Sequence, residues 1–298
     1  MAKIPYILKK FKSRSRDTIN AATRVIDEYM EQGYVLTLRQ LYYQLVARGI
    51  IPNEQKAYNR LGRLISHARL AGLVDWEAIE DRTRSLTARA HWRSPKAVLL
   101  AAENSFALDA WRSQPVAPEV WVEKEALANV VSRSANRLDV PVFCCRGYVS
   151  TSEVWRAVMR FAEHCKNGRE PLVIYLGDHD PSGLDMVRDL YDRMNDMLYV
   201  HGAQMDILPI ALTLDQIQQY NPPPNPVKMT DSRYRGYVRE LGIKECWELD
   251  ALEPQVMDDL ITNAIYQQMD KALFDADLAE EDAQRAMLRK VIEEADLP

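Results

Sequence analysis

Long apolar runs are missing from this chain. No stretch approaches the ~20 residues of a membrane span, and the first thirty residues hold no signal-peptide core, so neither secretion nor membrane insertion is expected. Cysteine is scarce: Cys144, Cys145, Cys165 and Cys246 show no paired metal spacing. That argues against a zinc ribbon or a disulfide scaffold and predicts free thiols in a reducing compartment. No G-x-x-x-x-G-K-[ST] segment is present, which excludes a P-loop ATPase. There are no internal repeats and no low-complexity tract.

Charge is abundant but uneven. The net charge of −5 hides a basic front: residues 1–96 hold 18 of the 38 Lys+Arg but only 9 of the 43 Asp+Glu. A basic front on an acidic body suggests that the front meets a polyanion, with nucleic acid the leading candidate. Residues 1–16 carry Lys3, Lys9, Lys10, Lys12, Arg14 and Arg16, an expected basic arm.

Apolar periodicity predicts three helices in this region, over about 17–32, 38–48 and 53–71. Thr37 suits the N-cap of the second, and Gly33 and Gly49 suit stops. Leu38, Leu41, Tyr42 and Leu45 make its buried face. Tyr43, about 100° further round, shares a stripe with Arg39 and is expected to be the more exposed phenol. On the third helix Lys56, Arg60, Arg63 and His67 form a cationic stripe. Three short helices followed by the cationic Arg82 and Arg84 match a winged helix-turn-helix, its last helix entering a groove and the segment after it resting on phosphates.

Ser94-Pro95 marks a boundary, with a connecting helix (about 96–111) and a Pro-containing linker, 114–118, after it. From Glu119 strands alternate with helices, the pattern of a parallel, doubly wound sheet. The expected fold is thus α/β: a winged-helix domain (1–94), a connector (95–118), a parallel-sheet, Rossmann-like domain (119–212) and a mainly helical region (213–298).

The stretch PLVIYLGDHDPSG, 171–183, reads as a buried strand ending in Asp178 and Asp180. Two carboxylates two residues apart on an extended chain point the same way, roughly 6–7 Å apart. Glu123 ends the predicted strand 120–122. Parallel strands open on one edge, so the three acids can converge there, where ligands of such sheets sit. Oxygen-only donors favour Mg²⁺ over zinc, and His179, between the aspartates, should point to the opposite face.

VEKEAL followed some fifty residues later by GDHDPSG, each ending a predicted strand, resembles the TOPRIM domain of topoisomerases and primases. The TLRQLYYQL segment in a basic winged helix narrows the resemblance to the A subunit of topoisomerase VI and its relative, the meiotic double-strand-break protein. The resemblance covers about residues 15–250. It implies Tyr43 as nucleophile with Arg39 before it, and Glu123, Asp178 and Asp180 as Mg²⁺ ligands. Gly147-Tyr148 is similar to the family's turn after the second TOPRIM strand.

The implied activity is Mg²⁺-dependent DNA cleavage and rejoining through a 5′-phosphotyrosyl link. A two-fold homodimer is implied, each site combining the tyrosine of one chain with the acids of the other, as is a separate GHKL-type ATPase B subunit for strand passage. A cytoplasmic, nucleoid-associated protein acting on double-stranded DNA is the corresponding expectation. The chain is shorter than the usual A subunit, with a brief N-terminal arm.

A phenol of pKa about 10 is ionised about once in a thousand at pH 7. Arg39 is therefore expected to favour the phenolate and grip a phosphate oxygen. Lys124 and Arg146, beside the acids, are candidates for holding the DNA backbone or for balancing local charge. Glu248 and Asp250 lie near a segment also similar to the family, but a helix start packing Trp247 and Leu249 inward is the preferred reading there. Two further readings stay open: a TOPRIM nuclease that hydrolyses DNA with water, and a non-catalytic DNA-binding or DNA-end-sensing protein.

Overall fold

A computed structural model describes residues 3–80, 89 and 91–295. The predicted phosphate contacts Arg82 and Arg84 lie outside the described residues.

The N-terminal part contains α1 (Ser13–Glu31), β1 (Leu36–Thr37), α2 (Leu38–Ala47), α3 (Gln55–Leu70) and β2 (Ile79–Glu80), with β1 and β2 paired in parallel. The helices fall where periodicity places them. Thr37 caps α2 reciprocally with Gln40, satisfying two backbone donors that the first turn leaves open. Ile19, Val25, Ile26, Leu41, Leu45, Leu61 and Ile65 close a core between α1, α2 and α3. Ala251, from far along the chain, packs into the same core.

Ser94 caps α4 (Pro95–Ser105), which ends six residues short of the predicted limit. The expected linker is instead the start of β3 (Val116–Val122). Pro118 is tolerated there for a geometric reason. Val120 donates its N–H to Pro141, on the side of β4, so position 118 faces the same side, where β4 has not yet begun.

After β3 come α5 (Ala128–Asn136), β4 (Val142–Cys144), α6 (Thr151–Lys166), β5 (Glu170–Leu176), α7 (Pro181–Tyr199) and β6 (Asp206–Ala211). The strands form one parallel sheet in the order β4-β3-β5-β6. Val120, Val122, Ile174 and Leu176 face α5 and the later α10; Trp121, Val173 and Tyr175 face α6 and α7. Both faces are covered, which is why these strands read as unbroken apolar runs.

The remainder holds α8 (Leu214–Tyr220), β7 (Asn225–Pro226), α9 (Tyr234–Leu241), β8 (Glu245–Cys246), α10 (Pro254–Gln268) and α11 (Lys271–Glu294). β7 and β8 pair antiparallel, turning the Pro-rich loop back over the sheet's carboxyl edge. No described helix is long and apolar enough to cross a membrane. None of the four cysteines is in a disulfide.

Candidate active site

The carboxyl ends of β3 and β5 stay in register beyond the strands: Glu123 donates its N–H to Leu176 O at 2.9 Å. Glu123 Oε2 then accepts the Asp178 N–H at 2.9 Å, locking one predicted acid onto the backbone of the next. Gly177 leaves the room for this, since a Cβ there would lie 3.1 Å from Glu123 Oε2 and 2.7 Å from the Tyr175 ring.

Beyond Gly177 the chain is pinned by a segment that sequence reasoning undervalued. His179 and Trp247 exchange backbone hydrogen bonds at 2.9 and 3.1 Å, and Leu249 donates its N–H to Asp178 Oδ1 at 2.8 Å. Trp247 and Leu249 do pack inward. The expected helix start is there, a 3-10 turn over Leu249–Ala251, and it leaves both Glu248 and Asp250 facing the site.

The acid cluster has a cation in its middle. Lys124 Nζ lies 2.9 Å from Asp178 Oδ2, 2.8 Å from Glu248 Oε2 and 2.8 Å from Asp250 Oδ2. Of the two expected jobs, holding DNA and balancing local charge, these contacts are those of the second. Arg146 is exposed and pairs with Glu125. Asp180 also has a local job, its Oδ1 accepting from Gly183 N at 2.7 Å and Ser182 Oγ at 2.8 Å as the N-cap of α7. The Pro-Ser-Gly turn is thus the first turn of that helix. His179 points away as expected, with Nδ1 2.9 Å from Leu212 O.

α2 docks on this cluster from the other side. Arg39 Nη1 pairs with Glu248 Oε2 at 2.7 Å, and its guanidinium stands 5.3 Å from the centre of the Tyr58 ring. The predicted contrast between the tyrosines does not hold: Tyr42 is 5 % exposed and Tyr43 is 3 % exposed. Tyr43 is covered because the face it shares with Arg39 is packed by the 225 and 248–251 segments, over which helical periodicity has no say. Its hydroxyl accepts from Asn225 Nδ2 at 3.1 Å, while Asn53 Nδ2 holds Asn225 Oδ1 at 3.1 Å. Nothing in the sequence around Asn225 marks it for this role.

The electrostatics follow from burial. Burial pushes the Asp178 carboxyl up to about 7 despite the Lys124 charge beside it, with Glu123 adding to the rise. Burial also raises Glu123. Tyr43 is raised above the ordinary phenol by burial and by the Glu248 charge, and the opposing effects of Asn225 and Arg39 are smaller. Arg39 does act toward the phenolate, as expected, but burial and Glu248 outweigh it. Glu248 stays below the ordinary carboxylate range: burial works against this, but Lys124 and Arg39 outweigh it.

Glu123, Asp178, Asp180, Glu248, Asp250, Lys124, Arg39 and Arg146 line one cleft of about 1060 Å³ between α2–α3 and the sheet edge. Lys56, Arg60 and Arg63 lie exposed on α3, and His67 is half-buried. Among the described residues no group of three or more His, Cys, Asp or Glu closes around a single ion position. The donor chemistry nonetheless fits a hard divalent cation held openly, by one or two carboxylates with water and a phosphate. Asp250, 1 % exposed, has neither carboxylate oxygen in a hydrogen bond; the Lys124 contact is off-angle and acts as charge alone. The five carboxylates of Glu123, Asp178, Asp180, Glu248 and Asp250 line the cleft beside Lys124, Arg39 and Arg146.

Protein-family models, curated proteins and solved structures offer no match to this chain. The fold is an α/β protein with a four-stranded parallel sheet and helical regions on either side of it in sequence.

Proposed function

We propose that the protein cleaves and rejoins double-stranded DNA by tyrosine transesterification, in the manner of a topoisomerase VI A subunit. The observation that carries this reading is Glu248, whose one carboxylate binds both Arg39 and Lys124 and so ties the Arg-x-x-x-Tyr helix to the acidic sheet edge. A structural scaffold has no need to bring an arginine and five acids to one open cleft with a tyrosine buried against the arginine's helix face.

In the forward step Tyr43 Oη bonds to phosphorus as the bond to the 3′-oxygen breaks; the phenol proton passes to water or a cleft carboxylate, and the departing 3′-oxygen takes a proton from water to leave as a 3′-hydroxyl. The reverse step reseals the strand. Burial and the Glu248 charge keep Tyr43 protonated, and Asn225 covers its hydroxyl, so attack requires that cover to open. Arg39 then offers its guanidinium to a non-bridging oxygen. Glu123 and Asp180 each keep an oxygen without a protein hydrogen bond, and these would hold Mg²⁺, which supplies charge stabilisation at the transferring phosphate. Lys56, Arg60 and Arg63 face the duplex backbone. Two chains serve the two strands, and strand passage draws on a separate ATPase partner.

A second reading has an observation of its own: the burial of Tyr43 favours hydrolysis by water at the same acids. Tyr43→Phe separates the two. Covalent protein–DNA adducts that form with wild type and Tyr42→Phe but vanish in Tyr43→Phe support the tyrosine mechanism. Undiminished cutting of supercoiled DNA by Tyr43→Phe sinks it. A binding-only protein is excluded if Asp178→Asn loses cleavage while still binding DNA.

A further inference from the structure

We infer that Lys124 is a built-in replacement for a second metal ion. Its ammonium fills a cation site formed by Asp178, Glu248 and Asp250, so the cleft takes one divalent ion where its acids would otherwise take two. The inference rests on the metal half of the reading above, an ion at Glu123 and Asp180, and is independent of the nucleophile.

Three carboxylates from two separate segments meet at one point. Asp178 Oδ2, Glu248 Oε2 and Asp250 Oδ2 stand 2.9, 2.8 and 2.8 Å from Lys124 Nζ. Oxygen donors gathered from distant parts of a chain onto one position are the donor set of a hard cation. The spacing, however, is that of an ammonium. A divalent ion needs its oxygens at about 2.0–2.6 Å, the span from Mg²⁺ to Ca²⁺. With Lys124 in place the acids are held apart, and among the described residues no three of them close around an ion position.

Asp250 points the same way by itself. Its side chain is wholly buried, and neither carboxylate oxygen is hydrogen-bonded. A buried carboxylate without hydrogen bonds is costly unless a cation faces it. Lys124 faces it as a point charge rather than as a directed donor, which is how a metal ion would act. Glu248 differs, since it accepts a hydrogen bond from Lys124 at 2.8 Å and pairs with Arg39 as well.

The arrangement also sorts the acids. Asp178 is fully engaged, Oδ1 by the Leu249 N–H at 2.8 Å and Oδ2 by the ammonium. Glu123 and Asp180 are left for the single ion. Beside that ion stands one unit of positive charge that cannot dissociate, because it is tethered to the chain.

Counting ions tests this without any cleavage. Mn²⁺ is titrated, in the absence of DNA, into wild type, Lys124→Met and Lys124→Met/Asp250→Asn, and free ion is read from its EPR signal. The expected counts are one per chain for wild type, two for Lys124→Met and one again for the double variant. Two ions on wild type, or no gain in Lys124→Met, overturn the inference. Wild type binding none while Lys124→Met binds one removes the ion at Glu123 and Asp180 yet leaves the role of Lys124 standing, so the two readings fail separately.

Melting supplies a second measurement. Mn²⁺ should restore most of the Tm that Lys124→Met loses and raise the double variant much less, because only the former regains a cation among three carboxylates. Equal rises in all three proteins overturn the inference. A Lys124→Met chain that folds only with Mn²⁺ present is the same expected result in stronger form, and one that fails to fold even then counts against it.

Discussion

Lys124 holds three carboxylates with one ammonium, and its loss is the most damaging single change at the residue scale. Burial alone lowers the affinity of such a lysine for its proton, but the charges of Asp250, Asp178 and Glu248 reverse that and hold it charged. Lys124→Met strands buried negative charge, so a loss of about 3 kcal/mol or more is expected, as for other broken buried pairs. Calorimetry would show a Tm drop of several degrees, and adding Asp250→Asn should recover part of it. Asp185 offers a pH test away from the acid cluster. The Tyr148 hydroxyl, against the opposing effect of burial and with help from Arg188 and Arg233, holds its carboxyl down to about 2. A depressed carboxyl stabilises the fold above its unfolded value, and that contribution fades as pH falls toward 2. The melting difference between wild type and Asp185→Asn should therefore be present at pH 5 and shrink steadily by pH 2.5.

At the scale of elements, Asp180 has two roles that substitution can separate. As the N-cap of α7 it needs only an acceptor oxygen; as a cleft acid it needs charge. Asp180→Asn should melt close to wild type, whereas Asp180→Ala should lose about 1 kcal/mol; both should lose cleavage. Local chemistry of this kind is what the sequence makes legible. The helices of the front part and the β-branched strands were readable because their own side chains decide them. The region before β3 was misread as a linker because Pro115 and Pro118 look like breakers, and only the short reach of β4 makes Pro118 harmless. Tyr43 was misread for a different reason: its cover comes from Asn225, 182 residues away in sequence. Asp178, Asp180 and Glu123 could be found because they end strands. Asn225 could not be found, since a loop residue acquires its partner only from the assembled fold.

Over the whole molecule, basic α3 and the acidic cleft lie on one body, and under the proposed function duplex DNA would be gripped at the first and admitted at the second. Binding should weaken steeply with salt. Replacing Lys56, Arg60 and Arg63 together by Ala should reduce the slope of log K against log salt by about 3 if each neutralises a phosphate. Filter binding across a salt series measures this directly, and an unchanged slope would move the DNA path off α3.

The Arg39–Glu248 pair spans 209 residues of chain. During synthesis the helix bearing Tyr43 leaves the ribosome long before Glu248, Asp250 or Ala251 exists to meet it. The front part can fold early, since its helices rely mainly on contacts among themselves. The cleft cannot, because its two walls close only after the 248–251 segment has emerged. A prematurely terminated chain would thus keep the basic helix proposed to grip DNA yet lack the assembled cleft proposed to cut it.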